Sequence, residues 1–150
     1  SDDLLDVGIS FRILGNEYGA STGRARRTGM LDIVQLAYAV SVNGVDEIFI
    51  TKCDMLNLFA RTKLNGIPYV DKYELDGTEI DYIPGSTNEY RRVNGIVSVT
   101  PDFSESIEQM HSFAELPEAL LDFIQLIEEK AGCKVMGIGT GPDREAYVMK

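Results

Sequence analysis

A glycine-rich loop with clustered arginines, at residues 15–29, carries the residue types best suited to bind an anion. It reads GNEYGASTGRARRTG and holds four glycines, two threonines, a serine and three arginines. Glycines let the backbone turn through positive φ and approach a ligand closely. Hydroxyl groups hydrogen-bond to anionic oxygens, and guanidinium groups pair bidentately with carboxylate or phosphate. We therefore predict an anion-binding loop; a solvated surface loop with scattered arginines is the plainer alternative.

A second candidate is the run Thr51-Lys52-Cys53-Asp54, which follows a predicted strand. In open α/β sheets, ligands bind beyond the carboxyl ends of the strands. A carboxylate there can accept two hydrogen bonds from guanine, at N1 and at the exocyclic amine. The alkyl stem of Lys52 can lie against a base while its ammonium stays in water. A surface ion pair at a strand end is the alternative explanation.

A third candidate is Gly139-Thr140-Gly141-Pro142-Asp143-Arg144, which also follows a predicted strand. Two glycines and a proline favour a tight turn whose backbone groups can touch a flat ligand. A plain hairpin turn would have the same composition, so the residues alone leave both interpretations open.

The elements that would position these loops alternate between strands and helices. Residues 7–14 alternate between apolar and small or polar types and are predicted as a strand that leads into the first loop. A helix is predicted at residues 28–43, with Asp32 in its first turn and Gly44 ending it. Residues 47–51 are predicted as a buried strand before Thr51-Lys52-Cys53-Asp54.

The rest of the chain is predicted to continue in the same α/β manner. A β-hairpin is predicted at residues 68–83, with Asp76-Gly77 as its turn. A long helix at residues 112–132 is predicted from the apolar spacing of Leu116, Leu120, Phe123, Ile124 and Ile127, with Pro117 in its first turn. Residues 55–64 are predicted to begin as a helical turn. A short helix is predicted at 86–93, and strands are predicted at 96–99, 134–138 and 145–149. Residues 103–112 are predicted to be an irregular, mobile segment.

These elements predict an α/β fold with helices packed on a mostly parallel sheet, plus the small β-hairpin. Residues 1–150 are predicted to form a single unit. The chain does not begin with methionine, which fits processing, a tag remnant or a cut from a longer protein.

Charge and composition exclude several classes of function. A net charge of −10 argues against general nucleic-acid binding, which needs a basic surface. With only His111, Cys53 and Cys133 available, no zinc cluster is expected, and the cysteines are expected to be reduced thiols. The chain has neither an apolar run near 18 residues nor a signal-like start, so we expect a cytoplasmic protein without membrane contact.

At all three candidate loops the chain resembles adenylosuccinate synthetases, the GTP-dependent ligases of purine biosynthesis. The family usually has two threonines at Ser21-Thr22, a tryptophan at Met30 and a leucine at Cys53, and it has either a serine or a glycine-rich variant at Gly139. Segments between the loops also match, among them Pro68-Tyr69-Val70 and Leu116-Pro117-Glu118-Ala119. The resemblance begins near Leu14 and implies that the chain is part of a larger P-loop-like nucleotide-binding fold.

The resemblance implies a role for each candidate residue. The loop would close on L-aspartate, with Arg24 also serving the ribose of IMP and Arg26 also approaching the GTP phosphates. Cys53 would point into the core and be neutral to function. The aspartate and IMP residues would be Ala20, Ser21, Thr22, Gly23, Arg24 and Arg26. The GTP residues would be Arg26, Lys52, Cys53, Asp54, Gly139, Thr140 and Gly141.

The phosphate loop and the catalytic Asp and His of that family have no counterpart in this sequence. We therefore expect a C-terminal portion without catalytic or metal-binding residues, inactive alone, belonging to a ligase that uses GTP and Mg²⁺ to join aspartate to IMP. The complete ligase is expected to be a homodimer. Two alternatives remain: the phage enzyme that joins aspartate to dGMP, and a non-catalytic nucleotide or amino-acid binding module.

Overall fold

The computed structural model describes the backbone of residues 2–150 and the side chains of residues 8–150. Two 3₁₀-helical segments, Cys53–Arg61 and Phe113–Glu115, accompany four helices and seven strands in this part of the chain. The elements are α1 (Asp2–Leu14), β1 (Leu31–Asp32), α2 (Ile33–Asn43), β2 (Glu47–Ile50), β3 (Ile67–Leu75), β4 (Thr78–Ile80), α3 (Thr87–Tyr90), β5 (Asn94–Thr100), α4 (Glu118–Ala131), β6 (Lys134–Gly139) and β7 (Tyr147–Met149).

The strands form two small mixed sheets. In the first, β3 pairs in parallel with β1 and antiparallel with β4 and β5. In the second, β6 pairs in parallel with β2 and antiparallel with β7. The α/β class is confirmed, but the prediction of a mostly parallel sheet was wrong. Short turns connect β3 to β4 and β6 to β7, and such connections produce antiparallel pairs.

The second sheet brings two candidate loops to one edge. β2 and β6 are parallel, and Ile50 lies beside Ile138 near their carboxyl ends. Residues 51–54 and residues 139–144 therefore leave the sheet side by side. The resemblance implied this arrangement, because it assigned residues of both loops to GTP.

The main core lies between the sheets and α4. On α4, the predicted face of Leu120, Phe123, Ile124 and Ile127 is confirmed as buried. This face packs in one cluster with buried residues of both sheets, among them Ile67, Val135, Ile138 and Val148.

The opposite side of the second sheet, here named the open face, exposes large apolar side chains. These are Phe49, Met136, Tyr147 and Met149, each 39–49 % exposed. Gly137 lies beneath two of them, since a Cβ there would come within 2.8 Å of the Phe49 ring and of the Met149 sulfur. The prediction that residues 47–51 are buried was therefore wrong for one side of the strand.

Residues 7–14, predicted as a strand, belong instead to helix α1. The alternation of Ile9, Phe11 and Ile13 does not mark a buried strand face. Only Phe11 packs inward, stacking on Phe59 with ring centroids 4.5 Å apart, while Ile9 and Ile13 are exposed. A helix satisfies its backbone hydrogen bonds internally, whereas a strand would need a partner at its edge.

Helix α2 begins later than predicted because Asp32 caps it. The Asp32 carboxylate accepts a hydrogen bond from Gln35 N at 2.9 Å, and Asp32 itself is extended. Leu31 and Asp32 pair with β3, so they lie outside the helix. The predicted end is confirmed: Gly44 is left-handed, with φ 61°.

Helix α4 also begins later than predicted. Leu116 is extended, with ψ 145°, and Pro117 is the N-cap instead of a first-turn residue. A residue before proline is sterically pushed away from the helical region, which separates the 3₁₀ turn from α4.

Several local predictions are confirmed. Asp76 and Gly77 both have positive φ, at 51° and 84°, as the two-residue hairpin turn requires. Ser86 caps the short helix α3. Residues 103–112 contain no regular element, but Phe103 and Ile107 are buried in the main core, which the prediction of a mobile segment did not anticipate. Among the described helices, none is long and apolar enough to cross a membrane.

Candidate functional site

The two strand-end loops meet at the carboxyl edge of the second sheet. A Cβ on Gly139 would lie 3.4 Å from Lys52 N and 3.5 Å from Thr51 Cα. These are ordinary contact distances, so the glycine at this position does not result from a steric conflict. Residues 51–54 and residues 139–141 are therefore neighbours in the fold.

Asp54 carries the most distinctive polar atom in this region. Its Oδ1 is buried and has no hydrogen-bond partner among the described residues. Buried carboxylate oxygens are normally paired, because an unpaired one loses its hydration without compensation. An unpaired acceptor beside two candidate loops is the condition expected of an atom whose partner is a ligand.

Lys52 adopts a backbone conformation that is uncommon for a side-chain-bearing residue, with φ 61° and ψ 33°. Its ammonium group reaches the first loop, where it pairs with Glu17 Oε1 at 2.5 Å and donates to Gly15 O at 2.7 Å. Thus Lys52 connects the edge of the second sheet to the base of the glycine-rich loop.

The glycine-rich loop folds back on itself as a small hairpin. Tyr18 and Ala25 form an isolated antiparallel bridge, and Gly19 N donates to Arg24 O at 2.8 Å. At the base, Arg26 N donates to Glu17 O at 2.9 Å, and the Arg26 guanidinium pairs with Glu17 Oε2 at 3.1 Å. Gly23, with φ 65°, supplies the positive φ at the tip. The base is therefore held by ion pairs and the tip by backbone hydrogen bonds.

The tip presents its side chains to solvent. Ala20, Ser21, Thr22, Gly23 and Arg24 are all exposed. Thr22 Oγ1 accepts a 3.4 Å hydrogen bond from Arg24 N, which holds the hydroxyl close to the arginine backbone. The tip thus offers a hydroxyl pair and a guanidinium to an incoming anion, while Arg26 lies at the base and is already paired.

Cys53 is buried, with 1 % of its surface exposed, as the resemblance implied. Its Sγ faces Ile50 O at 3.8 Å. Burial raises the pKa of the Cys53 thiol to about 12, with a smaller contribution from the adjacent Asp54 charge. The residue therefore remains a protonated core thiol and is unsuited to act as a nucleophile.

The turn after β6 is held from within the protein. Thr140 is 1 % exposed, and its N–H donates to Ala146 O at 2.9 Å. Gly141 has little spare room, since a Cβ there would lie 3.1 Å from the Ala146 Cβ. The turn is therefore a fixed wall of the site.

A cavity of about 500 Å³ lies beneath the base of the glycine-rich loop. Glu17, Arg26 and Lys52 reach its rim, but most of its wall is apolar and includes Phe11 and Phe59. Asp54 and residues 139–141 are not part of its lining. Because an apolar chamber suits neither a dicarboxylate nor a phosphate, the cavity does not define the candidate site.

No group of three or more His, Cys, Asp or Glu side chains close enough to hold a metal ion occurs among the described residues. The one histidine, His111, is exposed.

Comparison with known proteins places this geometry in a family. A profile described as adenylosuccinate synthetase matches residues 1–148, nearly the whole chain. The chain belongs to the adenylosuccinate synthetase family. The enzyme of Aquifex aeolicus is 43 % identical over 143 residues, covering 95 % of this chain and 32 % of the relative. The enzyme of Frankia casuarinae is 40 % identical over 139 residues, covering 93 % and 31 %.

A solved structure shows the same fold. The fully ligated adenylosuccinate synthetase from Plasmodium falciparum matches with a TM-score of 0.84 and 30 % identity. The match covers 97 % of this chain and 34 % of that structure. The chain therefore spans about a third of the length of the relatives it matches.

Sequence reasoning missed one charged residue in this region of the adenylosuccinate synthetase fold. Glu17 lies within the predicted loop but had no assigned role, and the structure places it between Arg26 and Lys52. Lys52 is 35 positions away in the sequence, so no local pattern could have revealed the contact. The presence of a glutamate among clustered cations was the available signal.

Proposed function

We propose that this chain is the aspartate- and guanine-binding portion of a ligase that joins L-aspartate to IMP at the expense of GTP. Here the complete ligase means this chain together with the remaining portion found in its relatives. Membership of the family supports the proposal, as does the way the fold brings the two strand-end loops together.

The observation that carries the proposal is the unpaired Oδ1 of Asp54. Guanine offers two adjacent donors, N1–H and the exocyclic amine, and a carboxylate can accept both. The base would lie between the Lys52 stem and the turn at residues 139–141, because these groups flank the same edge of the sheet. Adenine lacks this pair of donors, so the site would select GTP over ATP.

The loop would bind the other substrates. Ser21 and Thr22 would donate to the carboxylates of L-aspartate, with Ala20 and Gly23 shaping the backbone around it. Arg24 would pair with aspartate and contact the ribose of IMP. Arg26 would pair with aspartate and approach the GTP phosphates. Several charge-assisted donors suit a dicarboxylate, and the exposed tip leaves room for closure over it.

The overall reaction transfers the γ-phosphoryl group of GTP to the 6-oxygen of IMP, and the aspartate amine then displaces phosphate from C6. This chain would bind and orient the donor base and the amino acid. The phosphate loop, the catalytic groups and the Mg²⁺ ligands would belong to the remaining portion, because this sequence has no counterpart of the family's phosphate loop or of its catalytic Asp and His. The chain alone would then be inactive.

The test is Asp54→Asn in the complete ligase. We expect the KM for GTP to rise about 10-fold or more, because a hydrogen bond to a charged group contributes about 1.5–3 kcal/mol. The KM for aspartate should change little. Xanthosine triphosphate, which has a carbonyl oxygen in place of the amine, should serve the variant better than the wild type. The reason is that Asp54→Asn replaces an acceptor oxygen of the side chain with an N–H donor.

The control is Asp122→Asn, which removes the same charge from an exposed position on α4. It should leave both KM values at the wild-type level. Equal increases in the KM values for GTP and aspartate in Asp54→Asn would refute the guanine role of Asp54.

A further inference from the structure

Glu17 stands between the two halves of the proposed site. One carboxylate oxygen pairs with Lys52 at 2.5 Å and the other with Arg26 at 3.1 Å. The Glu17 side chain is only 18 % exposed, whereas those of Lys52 and Arg26 are 49 % and 58 % exposed. The largely buried Glu17 carboxylate therefore bridges Arg26 of the glycine-rich loop and Lys52, which follows β2.

The backbone strengthens this connection. Glu17 O accepts from Arg26 N at 2.9 Å, so the two residues are joined by backbone as well as by side chain. Lys52 donates to Gly15 O at 2.7 Å, two positions before Glu17. Arg12 Nε donates to Arg26 O at 2.7 Å, which ties the end of α1 to the same point. A shift of Lys52 would therefore displace the base of the glycine-rich loop.

The ionised form of Glu17 is the stable one in this setting. The hydrogen bond from Lys52 lowers its pKa, opposed by burial and helped by the hydrogen bond from Arg26. The carboxylate thus remains charged at neutral pH and holds both cations.

We propose that Glu17 is a positioning residue that couples the aspartate loop to the guanine-reading end of β2. This inference rests on the proposed function. Holding the Lys52 ammonium fixes the alkyl stem that would lie along the base, and holding Arg26 fixes the base of the loop. Occupation of the guanine site, by immobilising Lys52, would favour the loop geometry that receives aspartate. Linkage requires the reciprocal effect of aspartate on GTP.

The experiment measures this coupling in the complete ligase. The affinity for aspartate is determined with and without a saturating non-hydrolysable GTP analogue, in the presence of IMP, and the ratio is the coupling factor. The wild type should bind aspartate several-fold more tightly with the analogue present. In Glu17→Gln, which keeps the side-chain volume, the factor should fall towards one, and both KM values should rise about threefold to tenfold.

Glu17→Ala, which removes both acceptor oxygens, should lower the coupling factor at least as far. The matched control is Glu79→Gln, which breaks a 3.1 Å pair with Lys72 on the exposed hairpin. It should retain the wild-type coupling factor. A purely structural role of Glu17 would lower the melting temperature without changing the factor, and this result would overturn the inference.

Two other outcomes would also overturn it: a wild type that binds both ligands with a coupling factor of one, and a Glu17→Gln variant in which only one affinity changes. A wild-type complete ligase that binds neither GTP nor aspartate would overturn the proposed function together with the inference. The two failures are therefore distinguishable.

Discussion

At the scale of single residues, Lys52 shows how the site is built. A left-handed conformation costs a side-chain-bearing residue on the order of 1 kcal/mol, and Lys52 adopts it with φ 61°. The local reversal turns Cys53 into the core while Lys52 reaches back to the loop at Gly15. The strain is thus offset by one buried side chain and two polar contacts.

Arg24 provides a test of the loop at this scale. In the complete ligase, Arg24→Leu should raise the KM for aspartate by about 30-fold or more, because an enclosed carboxylate would lose its charged partner. The KM for GTP should change much less, because Arg24 lies at the tip of the glycine-rich loop, whereas Lys52 contacts the base of that loop. Steady-state kinetics with each substrate varied in turn will measure both.

Arg61→Leu is the matched control, because Arg61 is an exposed arginine in the last turn of the segment Cys53–Arg61. It should leave the KM for aspartate unchanged. An unchanged KM in Arg24→Leu would remove the loop tip from the aspartate site.

The chemistry of individual residues could be predicted only where it depends on local order. Asp54 and Gly139 each follow a predicted strand, which indicated positions at the edge of a sheet. Only the resemblance to the family assigned both residues to one site. The sequence could not predict that Oδ1 of Asp54 is unpaired, because this depends on the positions of all the surrounding hydrogen-bond donors. Glu17 was missed for the same physical reason, since its partner Lys52 arrives from another element.

At the scale of elements, helix ends are determined by backbone conformation more than by apolar spacing. Gly132 ends α4 with φ 72°, and its N–H donates to Glu128 O at 3.0 Å. A Cβ at Gly132 would meet nothing within 4 Å, so replacing it tests conformation without a steric clash.

Gly132→Ala should therefore lower the free energy of unfolding by about 1 kcal/mol, which is the cost of forcing a Cβ into the left-handed region. Urea denaturation followed by circular dichroism will measure it. Gly85→Ala is the control, because Gly85 also has open space around its Cβ position but lacks a positive φ. Equal destabilisation by the two substitutions would contradict the conformational explanation.

The apolar pattern predicted the buried face of the long helix α4 correctly but gave the wrong element for the short alternation at residues 7–14. The apolar stripe of α4 is confirmed, because several turns of helical spacing leave little ambiguity. The assignment of residues 7–14 failed because four alternating positions can also occur on a helix with exposed apolar residues, such as Ile13. The start of α4 was missed because Pro117 excludes the preceding residue from the helix.

At the scale of the whole molecule, Glu128 ties α4 to both ends of the β6–β7 hairpin. Its carboxylate accepts from Val135 N at 2.8 Å and pairs with Lys150 Nζ at 2.8 Å. The hydrogen bonds from Lys150 and then from Val135 hold the pKa of Glu128 below its ordinary value of 4.5.

A carboxylate with a lowered pKa stabilises the folded protein at pH values above its ordinary pKa. This stabilisation is lost as the pH falls through the lower pKa of the folded state. Glu128→Gln should therefore destabilise the protein by about 1 kcal/mol near neutral pH. The difference from the wild type should shrink below pH 4.5. Urea unfolding across a pH series will measure it.

The control for Glu128→Gln is Glu47→Gln, at an exposed glutamate on β2. Its free energy of unfolding should equal that of the wild type near neutral pH, and no difference should be present to shrink in acid. A Glu128→Gln deficit that persisted unchanged at low pH would show that ionisation of Glu128 is not its cause.

The division into two sheets could not be predicted from the sequence. Individual strands such as β3 and β6 were recognised from their composition, but strand pairing depends on contacts between distant segments. Leu31 pairs with Tyr69, and Ile50 with Ile138, across long stretches of chain. The α/β class follows from element order, whereas sheet membership follows from how helices and sheets bury their apolar sides together.

The open face also determines how the chain will behave in solution. Phe49, Met136, Tyr147 and Met149 form an apolar surface that favours self-association, and mutual repulsion between molecules of charge −10 opposes it. That repulsion vanishes as the pH approaches the isoelectric point near 4.5, and salt screens it at any pH. Purification at neutral pH and low ionic strength should therefore keep the chain dispersed, whereas acidification towards pH 4.5 should precipitate it.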